Sequence, residues 1–154
     1  MSRFEISLTD PFEADALALI NASDIEQADL YPPEVQFALS PRELVECDVR
    51  FFLARQAGAA LGCSGYQLMD GYAEVKRVFV RPEVRGTGVA QALMRHVEAS
   101  AAREGVVVLR LETGVDSPAA LRLYDGLGYD RRGPFGAYTD NGASVFMEKT
   151  MGHG

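Results

Sequence analysis

The stretch from Glu74 to Arg103 restricts the fold more than any other part of the chain. Val75 to Val80 reads as a strand, and it delivers the chain through Arg81-Pro82-Glu83-Val84 into Arg85-Gly86-Thr87-Gly88. Thr87 or Gly88 then opens a helix running to about Arg103, with Val89, Leu93, Val97 and Ala101 one turn apart on its apolar side and Glu104-Gly105 as its stop. The first N–H groups of a helix have no internal acceptor, and the macrodipole places partial positive charge beside them. Glycines let the backbone curl closely round an anion, so the expected ligand is a phosphate or pyrophosphate, with Arg85 adding a full charge. The plain alternative is a tight turn with Thr87 as a helix cap.

Two phosphate-binding patterns are testable here. A Walker loop ends in Gly-Lys-Ser/Thr, whereas Gly88 is followed by Val89 and Ala90, which excludes it. A dinucleotide fingerprint needs a small residue where Gln91 stands and a shorter approach than Arg81 to Arg85. Glu112 lies at a tolerable distance for the ribose acid, so a nucleotide-binding oxidoreductase stays weakly open.

The remaining segments frame this unit. Phe4, Ile6 and Leu8 alternate as a first strand, Asp10-Pro11-Phe12-Glu13 has the pattern of a capped helix start, and Ser40-Pro41-Arg42-Glu43 repeats it. Arg50 to Arg55 and Ala60 to Met69 form a hairpin about Gly58, and Tyr72 to Val80 follows as the next strand. Val106 to Thr113 is a buried strand, and Ser117-Pro118 starts a helix with serine as cap and Ala120, Leu123, Tyr124 and Leu127 on one face. Tyr129 to Tyr138 and Ser144 to Thr150 are expected as a final antiparallel pair, before a loose tail Gly152-His153-Gly154. Helices interleaved with a mixed sheet give an α/β (α+β) fold with one central parallel crossover. No linker or repeat divides residues 1–154, so one domain is expected.

Composition removes several functions. With 15 basic against 22 acidic residues and a net charge of −7, the chain lacks the basic surface that nucleic acid or an anionic membrane requires. No apolar stretch approaches the ~20 residues of a membrane span, and the polar, alternating N-terminus is not a signal peptide. Cys47 and Cys63 are expected as free thiols in a reducing compartment, which points to a cytoplasmic protein. With two histidines, one of them His153 in the tail, no metal site is expected, and His96 is taken as structural.

The run Val78 to Ala90 resembles the cofactor motif of the GNAT superfamily of N-acetyltransferases. That motif has Arg or Gln, two residues, Gly, one residue, then Gly or Ala; Arg85, Gly88 and Ala90 fill it. A second signature of that family is similar to Ser117, Ala120, Leu123, Tyr124, Leu127, Gly128 and Tyr129, although asparagine usually stands where this chain has Ser117. The order of elements also resembles the family fold: a mostly antiparallel seven-stranded sheet, about four helices and a splayed central parallel pair.

The resemblance implies acetyl-CoA as cosubstrate. Its pyrophosphate would sit on Arg85, Gly86, Thr87, Gly88, Val89 and Ala90, and its pantetheine arm along Val78, Phe79 and Val80, with Ser117 nearby. A backbone N–H near Phe79 or Val80 would polarise the thioester carbonyl. An attacking amine must lose a proton, and Glu74 is the expected base, sharing by strict alternation the strand face of Val78 and Val80; the alternative is a surface glutamate paired with Lys76 or Arg110. Tyr124 is the expected acid for the departing thiolate, and otherwise a core tyrosine. Tyr31, Glu112, Phe135 and Tyr138 are expected to line the acceptor pocket. A small-molecule primary amine is the expected acceptor, with a protein amine or a non-catalytic acyl-CoA-binding module as alternatives. A homodimer through late strands is also implied.

Overall fold

The computed structural model describes Arg3 to Gly152; the expected tail beyond Gly152 lies outside the described residues. A single sheet runs in the order β1-β2-β3-β4-β5-β7-β6, and every neighbouring pair is antiparallel except β4 and β5. Its strands are β1 (Glu5–Leu8), β2 (Arg50–Gln56), β3 (Ala59–Leu68), β4 (Ala73–Val80), β5 (Val108–Gly114), β6 (Asp130–Arg132) and β7 (Ser144–Thr150). Among the described residues four α-helices flank it: α1 (Ala14–Leu30), α2 (Pro41–Glu46), α3 (Val89–Arg103) and α4 (Pro118–Gly126). Among the described residues no helix is long and apolar enough to cross a membrane.

The helices divide between the two faces of the sheet. Met94, Val97 and Ala101 of α3 and Tyr124 of α4 bury against Val75, Leu109, Leu111 and Met147. Ala16, Leu19 and Ile20 of α1 and Leu44 of α2 bury against Phe51, Leu53, Cys63 and Phe79 on the other side. Each fully buried Leu, Val or Met contributes about 1.5–3 kcal/mol, so both layers are held by their apolar stripes. α2 carries the expected capping box, with Ser40 Oγ accepting from Glu43 N at 3.1 Å and Glu43 Oε1 accepting from Ser40 N at 3.0 Å.

Four local expectations are corrected. The Asp10-Pro11 signal makes a turn in which Phe12 N donates to Asp10 Oδ1 at 2.9 Å; α1 starts later, at Ala14, because Glu13 pairs with Arg55 at 2.5 Å rather than closing a capping box. Ser117 holds the cap position of α4, but its hydroxyl faces Tyr31 Oη at 3.2 Å and does not cap the helix. The expected strand from Tyr129 to Tyr138 is only Asp130–Arg132. Pro134, with no N–H for a ladder, follows Gly133, and the chain leaves the sheet to fold Phe135 and Tyr138 back over it.

The fourth correction concerns β4. Lys76 faces Gly65 and Phe79 faces Cys63, so Arg77 and Val78 together oppose Ser64, which is a β-bulge. Arg77 sits at φ 56°, in the left-handed region. The extra residue inverts the alternation, so Val75 and Val80 both face α3 although their numbers differ in parity. Glu74 therefore lies on the α1 face, opposite Val78 and Val80, rather than sharing theirs.

Candidate active site

β4 and β5 pair only at Ala73–Leu109 and Glu74–Arg110. Beyond Glu74 the β5-facing edge of β4 has no strand partner among the described residues, and a cleft of about 950 Å³ opens there. Glu74 to Val80 form one wall, Leu111 to Gly114 and the start of α4 the other, and the α1–α2 connection covers one end. An unpaired strand edge presents N–H and C=O groups to any extended ligand laid along it.

The end at α3 is made of backbone. Gly86 and Gly88 have φ of 83° and 96°, conformations costly for any side chain with a Cβ, and Gly88 is the residue preceding the helix. The helical ladder begins with Ala92 N donating to Gly88 O at 3.0 Å, so the N–H groups of Val89, Ala90 and Gln91 precede it. Thr87 Oγ1 donates back to Val84 O at 2.5 Å and serves the turn rather than the helix cap. Arg3 also reaches this turn, donating to Thr87 O. Arg85 is tied down: Nε donates to Val80 O at 3.0 Å, and the guanidinium pairs with Glu26 at 2.7 Å. This end could hold a phosphate or pyrophosphate on N–H groups.

The other end is made of side chains. Glu74 is buried, at 4% exposure, not a surface residue. Its Oε2 pairs with Lys76 Nζ at 2.8 Å and accepts the hydroxyl of Tyr138. Among the described residues Oε1 has no hydrogen-bond partner. Burial, reinforced by the hydrogen bond to Glu74, pushes the Tyr138 phenol far up and keeps it a donor. Phe37 meets the Tyr138 ring edge-on at 5.3 Å, and Phe135 and Phe146 pack behind it at 5.1 and 5.5 Å.

Glu112 lies on the same face of the sheet. Burial raises its pKa, opposed by the hydrogen bond from Ser144 Oγ at 2.7 Å and by Lys76, and assisted by Glu74. Tyr124 looks into the cleft from α4. Burial, and then the charge of Glu112, push its phenol well up, and its hydroxyl has no hydrogen-bond partner among the described residues. A protonated phenol opening on the cleft can donate a proton or a hydrogen bond, and a carboxylate with one free oxygen can accept one.

Tyr31 Oη accepts from Asp116 N at 3.0 Å, and the ring crosses β5 at Gly114. A Cβ there would fall 1.8 Å from Tyr31 Oη, so only glycine permits this crossing.

Every residue expected in the site lines the cleft except Thr87, which lies in its turn, and Phe135, which packs behind Tyr138. Phe37, Arg77, Asp24 and Arg122 also line the cleft and carry no signal in the sequence. The Arg77 side chain is only 3% exposed, with Nε donating to Leu39 O at 2.8 Å and Nη1 to Asp24 Oδ1 at 2.6 Å, tying the α1–α2 connection to the bulge. Cys63 Sγ donates to Arg77 O at 3.2 Å, and burial raises that thiol to about 12. His96 packs edge-on against Phe52 at 4.6 Å, outside the cleft.

Residues 15–129 match the model of the acetyltransferase (GNAT) family. The chain is 37% identical, over 98% of its length and 100% of the relative's, to an IAA acetyltransferase of Azospirillum brasilense. It is 31% identical to the N-alpha-acetyltransferase RimI of Mycobacterium tuberculosis, covering 79% of this chain and 75% of that one. A crystal structure of a Klebsiella pneumoniae protein, provisionally described as an acyl-CoA N-acyltransferase, superposes with a TM-score of 0.82 at 35% identity, covering 96% of this chain and 97% of the other. The fold, the splayed strand pair and these matches agree: the chain belongs to the GNAT family of acetyl-CoA-dependent N-acetyltransferases.

Proposed function

We propose that the cleft transfers the acetyl group of acetyl-CoA to a primary amine of a small molecule. One observation carries this reading: a buried carboxylate with one free oxygen, Glu74, and a protonated phenol without a partner, Tyr124, line the same cleft from opposite layers of the fold. A cleft of about 950 Å³ falls within the range of small-molecule sites, roughly 300–1,000 Å³.

The residues present fit the cosubstrate. The N–H groups of Val89, Ala90 and Gln91, with the turn at Arg85 to Gly88, suit the pyrophosphate, and the free edge of Val78, Phe79 and Val80 suits the pantetheine arm, with Ser117 across the cleft. When bound, acetyl-CoA supplies the thioester carbon that the amine attacks. Glu74 Oε1 takes the ammonium proton, directly or through one water, and Lys76 and Tyr138 hold the carboxylate in place through Oε2. The Tyr124 hydroxyl gives its proton, or a hydrogen bond, to the departing sulfur. Tyr31, Glu112 and Tyr138 bound the acceptor end, with Phe135 supporting Tyr138.

Similarity to RimI raises a protein N-terminus as a second acceptor. A thermal-shift comparison tests the cosubstrate first. Acetyl-CoA at a hundred times its dissociation constant should stabilise by ~2.7 kcal/mol, a Tm rise of roughly 5–10 °C, and NAD should give none. A shift with NAD alone would overturn the reading.

A further inference from the structure

The ionisable groups of the cleft are not evenly matched along it. Asp24 pairs with Arg77, Glu26 with Arg85 and Glu74 with Lys76, at 2.6, 2.7 and 2.8 Å. Among the described residues that line the cleft, Arg122 is the cation left without an anionic partner. It stands on α4, in the layer shared with α3, the layer whose N-terminus carries the glycine turn. The acceptor side, on the opposite face of the sheet, has the reverse imbalance. Among the described residues Glu112, half-buried and hydrogen-bonded to Ser144, forms no ion pair, its nearest cation Lys76 being held by Glu74, and the exposed Asp116 beside Tyr31 forms none either. The same cleft is lined from the α1–α2 connection by Leu30, Val35 and Phe37 together with Gln27 and Gln36, and Phe37 meets Tyr138 edge-on.

We infer that the acceptor is a primary amine on an apolar, preferably aromatic, body, with no carboxylate beside the amine. This rests on the acetyl-transfer reading above. The ammonium entering this end meets Glu74 Oε1 and the surplus charge of Glu112, and a flat apolar body can lie against Phe37 and Tyr138. An α-carboxylate on the same molecule would meet Glu112 at short range. Lys76 and Arg77 are already held by Glu74 and Asp24, so neither is free to receive it. Like charges brought together in a partly desolvated site are strongly disfavoured, so the site selects by rejection as well as by fit.

Matched pairs test this directly. Release of CoA thiol is followed with 2-phenylethylamine against phenylalanine and with tryptamine against tryptophan, with spermidine and a peptide amide beginning in phenylalanine as further arms. The amine of each pair should exceed its amino acid by at least about 100-fold in kcat/KM. Glu112→Gln should shrink that ratio by about 10-fold or more, because it removes the repelling charge and keeps the shape. Equal or better turnover of the amino acids would overturn the inference. So would spermidine or the peptide outrunning 2-phenylethylamine. Failure of all these amines, with acetyl-CoA still raising Tm, would overturn the acceptor class and leave the cosubstrate standing; absence of that rise as well would overturn both.

Discussion

The two ends of the cleft are built from different material. At α3 the groups we propose for cosubstrate binding are backbone N–H groups set by one contiguous run, Arg85 to Gln91, and the side chains there serve the turn itself: Thr87 bonds Val84, and Arg85 bonds Val80 and Glu26. At the proposed acceptor end the cleft is lined by side chains drawn from β4, β5, the α1–α2 connection and the β6–β7 loop: Glu74, Glu112, Phe37 and Tyr138. A backbone site depends on local φ values and tolerates side-chain change. A side-chain site depends on tertiary placement and is damaged by removing single groups. Changes at one end should therefore alter cosubstrate affinity, and changes at the other should alter turnover and acceptor choice.

The largest effect is expected from Glu74→Gln. Loss of the proposed base should lower kcat by about 10²–10⁴-fold while the acetyl-CoA dissociation constant stays within about twofold. The change also leaves Lys76 without its anion, so the rate is read well below the variant's own Tm. An unchanged kcat would remove Glu74 from the chemistry and with it the division between the two ends.

Tyr124→Phe comes next. It deletes a hydroxyl that bonds nothing among the described residues, so stability should hold while kcat falls about 10–100-fold. A large fall in Tm with normal kcat would make this a packing tyrosine. Gly88→Val forces a β-branched side chain to a φ of 96° and should cost about 1–3 kcal/mol of local strain. Acetyl-CoA affinity should fall about 10-fold or more, with the KM for the acceptor unchanged.

The smallest effect concerns stability. Burial raises the Glu112 pKa, so the folded state binds a proton there more tightly than the unfolded chain does. That favours folding below the unfolded value near 4.5 and is lost as pH rises through the folded value. Glu112→Gln, neutral at every pH, should therefore raise Tm by about 2–4 °C at neutral pH, and the gain should close as pH falls towards the ordinary carboxylate range. A gain that persists at low pH would exclude charge burial as its cause.

The same division explains what was legible in the sequence. The glycine turn, α3, α4 and the β2–β3–β4 meander follow from local spacing and are observed as expected. The bulge was not legible, because a left-handed arginine has no sequence signature; Arg77 is held there by Leu39 O and Asp24, contacts from distant segments. It moved Glu74 to the opposite face from the one that alternation implies, towards Tyr138 and Glu112. The sequence places Tyr138 and Phe135 on a strand, whereas Gly133-Pro134 ends β6 early, so that Tyr138 reaches the cleft from a loop and Phe135 packs behind it. Nothing local to Gly114 marks the need for glycine, because the ring that crosses it belongs to Tyr31, distant in the chain.

Calorimetric titration of acetyl-CoA into the wild type, Gly88→Val and Glu74→Gln tests the division most directly. The account predicts binding weakened about 10-fold or more in Gly88→Val and unchanged in Glu74→Gln. Wild-type affinity in Gly88→Val, or lost affinity in a folded Glu74→Gln, would contradict it.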